Sequence, residues 1–363
     1  MQQKYNAIQA LRWISALLVI GFHSRGFMND IYAQKNLGDM MFVTGAAGVD
    51  IFFVISGFII SLATSRKESI FSFYIKRIFR IYPVYIFLVV SLLLLVGNYN
   101  NSDIVRSLFM IHNDYKSEAP TFGYSLIFTT WSLTYELYFY IIFSLAMLIN
   151  HKYRVITTCV MILAILMISQ IYTNGTPFID AAHNIESNLS GLAVFLSNPI
   201  SIDFIYGCLI YTVYSLGVVD FFARKINANI LIAIILSGLA LSFIIIFSNY
   251  RYGYGPLKWG MLGAAIVFLC VAYDRYLKFE INRVWIYLGD ISYSIYLTHV
   301  CVLVFLNTYG GLFSWYIAIN GISRVLFIII TSIVLSVFTY ELIEKRGIKL
   351  GKSLISMIER NKS

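Results

Sequence analysis

The chain has 363 residues, 59% hydrophobic and only 12% charged, with a mean hydropathy of +0.76. An ordinary soluble domain carries about 25% charged residues, so this composition excludes one and points to helices crossing a bilayer. The net charge of +9 would suit a nucleic-acid binder, but the basic residues sit at the ends of apolar runs, where the positive-inside bias puts them, and nucleic acid is excluded as a partner.

Ten apolar runs are long enough to cross a hydrocarbon core of about 30 Å: 7–27, 42–64, 74–97, 124–149, 154–172, 199–219, 229–248, 256–277, 284–307 and 322–342. The expected fold is therefore all-α, a polytopic bundle of about ten transmembrane helices. The first run carries Arg12 and His23 and lacks a convincing small-residue cleavage site, which predicts a retained helix rather than a signal peptide. The segment 173–198 is mildly apolar in its second half and is compatible with a re-entrant stretch.

Basic residues set the orientation. With both termini cytoplasmic, the inner side holds Lys4, Arg12, Arg77, Arg80, Arg154, Lys278, Lys362 and most of the other cations, whereas the outer side holds Arg25, Lys35, Arg106, Lys116, Arg251 and Lys258. No loop is long enough for a soluble domain. The expected organisation is one membrane domain over 1–346 and a short basic cytoplasmic tail over 347–363. Cys159, Cys208, Cys270 and Cys301 all lie in apolar runs without a C-x-x-C pair, which favours buried thiols over a metal site or disulfide framework.

Ionisable residues inside spans are costly and need a reason. Five stand out: His23, Asp50, Glu136, His299 and Arg324. At 1.5 Å per residue, His23 lies about 6 Å below the outer end of its span, Asp50 and His299 about 12 Å deep and Glu136 about 18 Å deep. Arg324 begins the last span near the outer side. Shared depth does not by itself bring five helices together.

Arg12 and His23 are eleven residues apart, nearly three full turns, so one helix face presents a cation near the cytoplasm and an imidazole about 16 Å outward. Arg77 and Arg80 share a face at i, i+3, and arginines suit bidentate phosphate binding; snorkelling topogenic cations are the plainer alternative. Trp131-Ser132-Leu133-Thr134-Tyr135-Glu136 places a carboxylate amid aromatics, where it could serve chemistry, pair with Arg324 or accept from tyrosines. Ser292, Tyr296 and His299 form one stripe, which equally suits hydrogen bonding between helices. Gly45-Ala46-Ala47-Gly48 and Ser56-Gly57 predict close helix approach; Asp50 needs a separate explanation.

In this order the motifs resemble the acyltransferase-3 family of bacterial membrane O-acyltransferases. The resemblance covers nearly the whole chain: Arg12 through His23, Gly48-Val49-Asp50-Ile51-Phe52-Phe53-Val54-Ile55-Ser56-Gly57-Phe58, Arg77 and Arg80, Trp131 through Glu136, and Ser292 through His299. It looks nearest to the exopolysaccharide and O-antigen acetyltransferase branch. Many relatives have a proline after the last glutamate, where this chain runs Glu344-Lys345-Arg346. The resemblance implies transfer of an acyl group, commonly acetyl, from cytoplasmic acyl-CoA to a glycan hydroxyl or lipid-linked glycan in the bacterial inner membrane. Acyl-CoA is then a co-substrate, with no permanently bound cofactor and no metal.

On that basis Arg12, Arg77 and Arg80 are candidate binders of the CoA phosphates, and the pantetheine arm would reach up toward His23. His23 is the candidate general base, with Asp50 or Glu136 orienting it by triad logic. Trp131, Ser292, Tyr296, His299 and Arg324 are candidate substrate-binding residues. Tyr or Ser hydroxyls could donate to the oxyanion, and His299 is an alternative base. The rival is a proton-coupled transporter or glycan exporter, which also uses intramembrane His and acids; the absence of a clear internal repeat and the few prolines disfavour it.

Overall fold

The computed structural model describes residues 5–97, 99–185, 190–277 and 280–360; Lys4, Lys278 and Lys362, counted among the inner cations, lie outside them. Every regular element among the described residues is helical. The chain begins with α1 (Asn6–Ser24), a short α2 (Leu37–Phe42), α3 (Ala47–Ala63) and α4 (Ile70–Val96). An outer loop carrying α5 (Asn101–Leu108) leads to α6 (Thr130–Ile149) and α7 (Arg154–Asn174). The short α8 (Gly191–Leu196) precedes α9 (Ser201–Ser215), α10 (Val218–Ala223), α11 (Ala228–Phe247) and α12 (Met261–Ala272). The chain closes with α13 (Arg283–Asp290), α14 (Ser292–Tyr309), α15 (Ser314–Ala318), α16 (Gly321–Thr339) and α17 (Lys345–Arg360).

Nine helices among the described residues are long and apolar enough to cross a membrane, and the protein is an integral membrane protein of all-α class. The tenth expected span, 199–219, holds α9, whose 15 residues cover about 22 Å. The chain turns at Gly217, where φ is +69°. In 173–198 the regular structure is the end of α7, to Asn174, and α8; residues 186–189 of that segment lie outside the described residues.

The small residues predicted to allow close approach do so. A Cβ on Gly45 would come within 2.2 Å of the Leu18 carbonyl oxygen, and one on Gly48 within 2.5 Å of that of Ser15, so α1 lies directly on the start of α3. Gly57 and Gly207 face each other where α3 crosses α9: their added Cβ atoms would meet the carbonyls of Phe204 at 2.1 Å and Val54 at 2.0 Å. Arg154, buried at the start of α7, ties this pair from the inner end. It donates to Thr64 Oγ1 at 2.9 Å and to the Ser61 carbonyl at 3.1 Å, satisfying groups left open where α3 ends.

The inner end of α1 is fixed from another direction. Both carboxylate oxygens of Asp274 accept the Ala7 N–H at 2.9 Å, satisfying an open donor of the first turn and placing a negative charge at the helix's positive end. The stretch 347–363, expected to be a tail, instead contains most of α17. Gly347 and Gly351 let it press on Phe79, Pro83 and Ile75 of α4, and α16 and α17 run as one helical stretch, Gly321–Arg360, through a π-helical turn at Tyr340–Glu344.

Candidate functional site

A cavity of about 570 Å³ opens among α1, α3, α4, α6, α13 and α14, within the usual range for small-molecule sites. Tyr5, Asn6, Glu68 and Lys76 stand at its inner mouth, and Val49, Phe52, Ser132 and Tyr296 line its outer end. Along α3 it extends from Ala63 to Val49, about 21 Å of helix rise. Arg12, Arg77 and Arg80 all line it, so the cations that sequence placed on separate helices share one space.

Each arginine is held differently. Arg12 donates to Gln9 Oε1 at 3.0 Å. Arg77 donates to the Phe73 carbonyl at 2.8 Å, with its guanidinium 3.5 Å from the Phe73 ring centroid and 5.2 Å from that of Tyr140. Stacking of this kind orients the planar fork while leaving N–H edges free. Arg80 makes no ion pair within 4 Å among the described residues but lies in electrostatic reach of Glu344, Glu136 and Arg12. Glu344 is 1% exposed and accepts from Ser294 Oγ at 2.6 Å. Asp290 also lines the cavity. These acids partly balance the arginines, and sequence analysis missed them. Glu344 follows the last apolar run beside Lys345 and Arg346, where it looks like an ordinary surface charge, and only the seating of α17 on α4 buries it.

His23 and His299, from α1 and α14, meet in the outer half of the bundle. His299 Nε2 lies 3.2 Å from His23 Nδ1, with the rings stacked at 5.3 Å between centroids. Phe128, from the loop before α6, covers them with its ring 4.6 Å from His23 and 6.2 Å from His299. His299 is fully buried. The lateral convergence that depth could not establish is thus present for this pair.

The cavity does not run unbroken to the histidines. Tyr296 closes its outer end, hydrogen-bonded to Ser132 Oγ at 2.7 Å and donating to the Thr129 carbonyl at 3.3 Å. Phe52 packs edge-on against Tyr296 at 5.7 Å, and the His299 ring is 6.1 Å beyond it. One aromatic layer separates the cationic cavity from the imidazole pair.

The remaining candidates fall elsewhere. Asp50 does not orient His23: it turns toward α9 and α12, where Oδ1 accepts the Gly255 N–H at 2.7 Å and its carboxyl meets that of Asp203. Gly255 reaches it with φ at +101°, a left-handed conformation that favours glycine. Glu136 lines the cavity and accepts from the Tyr140 hydroxyl, not from His23 and not from Arg324. Arg324 donates to the carbonyls of Ile319 and Tyr316 at 3.1 and 3.2 Å, serving the end of α15. Trp131 is buried edge-on against Phe53, Tyr135 and Tyr254, and Ser292 Oγ is buried with no hydrogen-bond partner among the described residues; neither lines the cavity.

Comparison with known proteins identifies the family. The family model described as "Acyltransferase domain", acyltransferase-3, matches residues 5–341. Exopolysaccharide production protein ExoZ of Rhizobium meliloti (strain 1021) is 26% identical over 269 residues, 71% of this chain and 76% of ExoZ. Acyltransferase MdmB of Streptomyces mycarofaciens is 26% identical over 151 residues, 38% of each chain, so that match spans well under half of MdmB. No solved structure matches the chain. With a family match over nearly its whole length and nine helices fit to cross a membrane among the described residues, the chain belongs to the acyltransferase-3 family and is a membrane-bound acyltransferase.

Proposed function

We propose that the protein moves an acetyl group from cytoplasmic acetyl-CoA to a hydroxyl of a cell-surface glycan, acting in the bacterial inner membrane. The observation that carries this reading is the layout of α1: Arg12 in a cationic cavity open at the inner end, His23 on the same helix beyond that cavity's outer end. Arg12, Arg77 and Arg80 would hold the CoA phosphates by charge-assisted hydrogen bonds, and the cavity's length suits the extended pantetheine arm. Tyr296 and Ser132 stand at the far end, so the thioester enters beside two hydroxyls able to donate to its oxygen.

In the reaction the acceptor oxygen bonds to the thioester carbonyl carbon as the C–S bond breaks. An imidazole nitrogen of His23 takes the hydroxyl proton and returns it to the departing CoA thiolate. For this to occur in one assembly the Tyr296 layer must admit the acyl group, which requires its bond to Ser132 to open. A glycan acceptor accords with the name of ExoZ, an exopolysaccharide production protein.

The test is transfer from radiolabelled acetyl-CoA in membranes, together with the O-acetyl content of the surface glycan by mass spectrometry with and without the gene. Labelled glycan and a mass difference of one acetyl group are expected. Uptake or export of glycan with no labelled product would instead establish a transporter.

A further inference from the structure

The contact between His23 and His299 determines where the imidazole protons lie. His299 Nδ1 is 3.3 Å from the Ile295 carbonyl, and a carbonyl only accepts, so Nδ1 carries a hydrogen. Among the described residues no carboxylate touches either ring; the charge in electrostatic reach of His23 is the cation of Arg25, engaged with Asp39 and the Phe22 carbonyl. A fully buried imidazolium without a counter-charge is costly, so His299 is neutral and its Nε2 is a lone pair. The atom facing that lone pair at 3.2 Å, His23 Nδ1, is therefore the donor. With its hydrogen on Nδ1, neutral His23 must bear the lone pair on Nε2, the ring nitrogen not engaged by His299.

We propose that His299 is a positioning residue that holds His23 in the tautomer with a basic Nε2. Which nitrogen of a histidine reacts is set by the partner of the other, and here an imidazole does what a carboxylate does in a triad. The proposal rests on the acyl-transfer reading for its purpose but not for its geometry. During transfer the acceptor proton moves to His23 Nε2 and the C–O bond forms as the C–S bond breaks. Nε2 then passes that proton to the CoA thiolate. Throughout, His299 Nε2 accepts from His23 Nδ1–H, which is most acidic while His23 is cationic.

Two measurements test this. Nitrogen NMR of the full chain in lipid nanodiscs, with labelled imidazoles and the His23 signals assigned from a His23→Gln variant, should show Nδ1 protonated and Nε2 as a lone pair. A spectrum with hydrogen on His23 Nε2 overturns the proposal. In the kinetic arm, His299→Leu removes the acceptor and His299→Gln restores one. With acetyl-CoA as donor and membranes supplying the native acceptor, His299→Leu should lose about 100-fold in kcat with KM for acetyl-CoA unchanged, and His299→Gln should recover most of it. Wild-type kcat in His299→Leu, or equal losses in both variants with CoA binding intact, overturns it. Should His299→Leu fail to bind CoA through misfolding, the wild-type spectrum decides. If the wild type shows the expected tautomer but transfers no acyl group, the acyl-transfer reading fails and the tautomer assignment stands.

Discussion

The two ends of α1 solve opposite problems. At the inner end, Arg12 faces a wide cavity where three arginines share a few acids and retain unsatisfied donor capacity. At the outer end His23 is half-buried and held between Phe128 and His299. An anion-binding mouth benefits from unused hydrogen-bond donors and mobile long side chains, because the ligand supplies the missing partners. A proton-transferring group needs the reverse, a ring whose orientation and tautomer are fixed before substrate arrives. The layer of Tyr296, Phe52 and Ser132 keeps the two environments apart.

The contrast is sharpest if each end can be damaged separately. His23→Gln should reduce transfer by 100-fold or more, the usual scale for loss of a general base, while equilibrium binding of acetyl-CoA stays within a factor of two; parallel loss of binding would join the two ends functionally. Arg80→Gln should do the converse. Losing a charge-assisted hydrogen bond costs roughly 1.5–3 kcal/mol, so KM for acetyl-CoA should rise by about tenfold or more with kcat nearly constant. An unchanged KM would leave Arg80 a topogenic cation.

Structural lesions should not discriminate between the ends. Gly207→Leu forces a side chain into the Val54 carbonyl on α3; overpacking of this kind costs about 1–3 kcal/mol, visible as a lower Tm in detergent with binding and transfer declining together. Asp274→Ala removes the acceptor at the start of α1. Its effect should be the smallest, about 1 kcal/mol of stability, measured as a modest drop in Tm with a slight rise in KM through the displaced Arg12.

Helix positions were legible because hydropathy and length register the bilayer directly, and the Arg12–His23 face followed from helical period alone. The partner of His23 was not legible as such. His299 lies on a stripe with Ser292 and Tyr296, but sequence specifies the stripe and not the helix it faces. Asp50 misled for the same reason: its depth matched that of His299, yet the glycines at 45, 48 and 57 press α3 onto both α1 and α9, and Asp50 faces the α9 side. Glu344 was obscured by its surroundings, since a glutamate followed by two cations after an apolar run has the pattern of a solvated helix end.

The helical stretch from Gly321 to Arg360 is 40 residues long, about 60 Å at full helical rise and twice the thickness of the hydrocarbon core. Its last part, α17, rests on α4 and is studded with Lys345, Arg346, Lys349 and Lys352. Because α4 also carries Lys76, Arg77 and Arg80 to the cavity mouth, a polyanionic nucleotide approaching from that side meets a positive field before it meets the protein's interior. Its rate of arrival should therefore fall steeply as ionic strength rises.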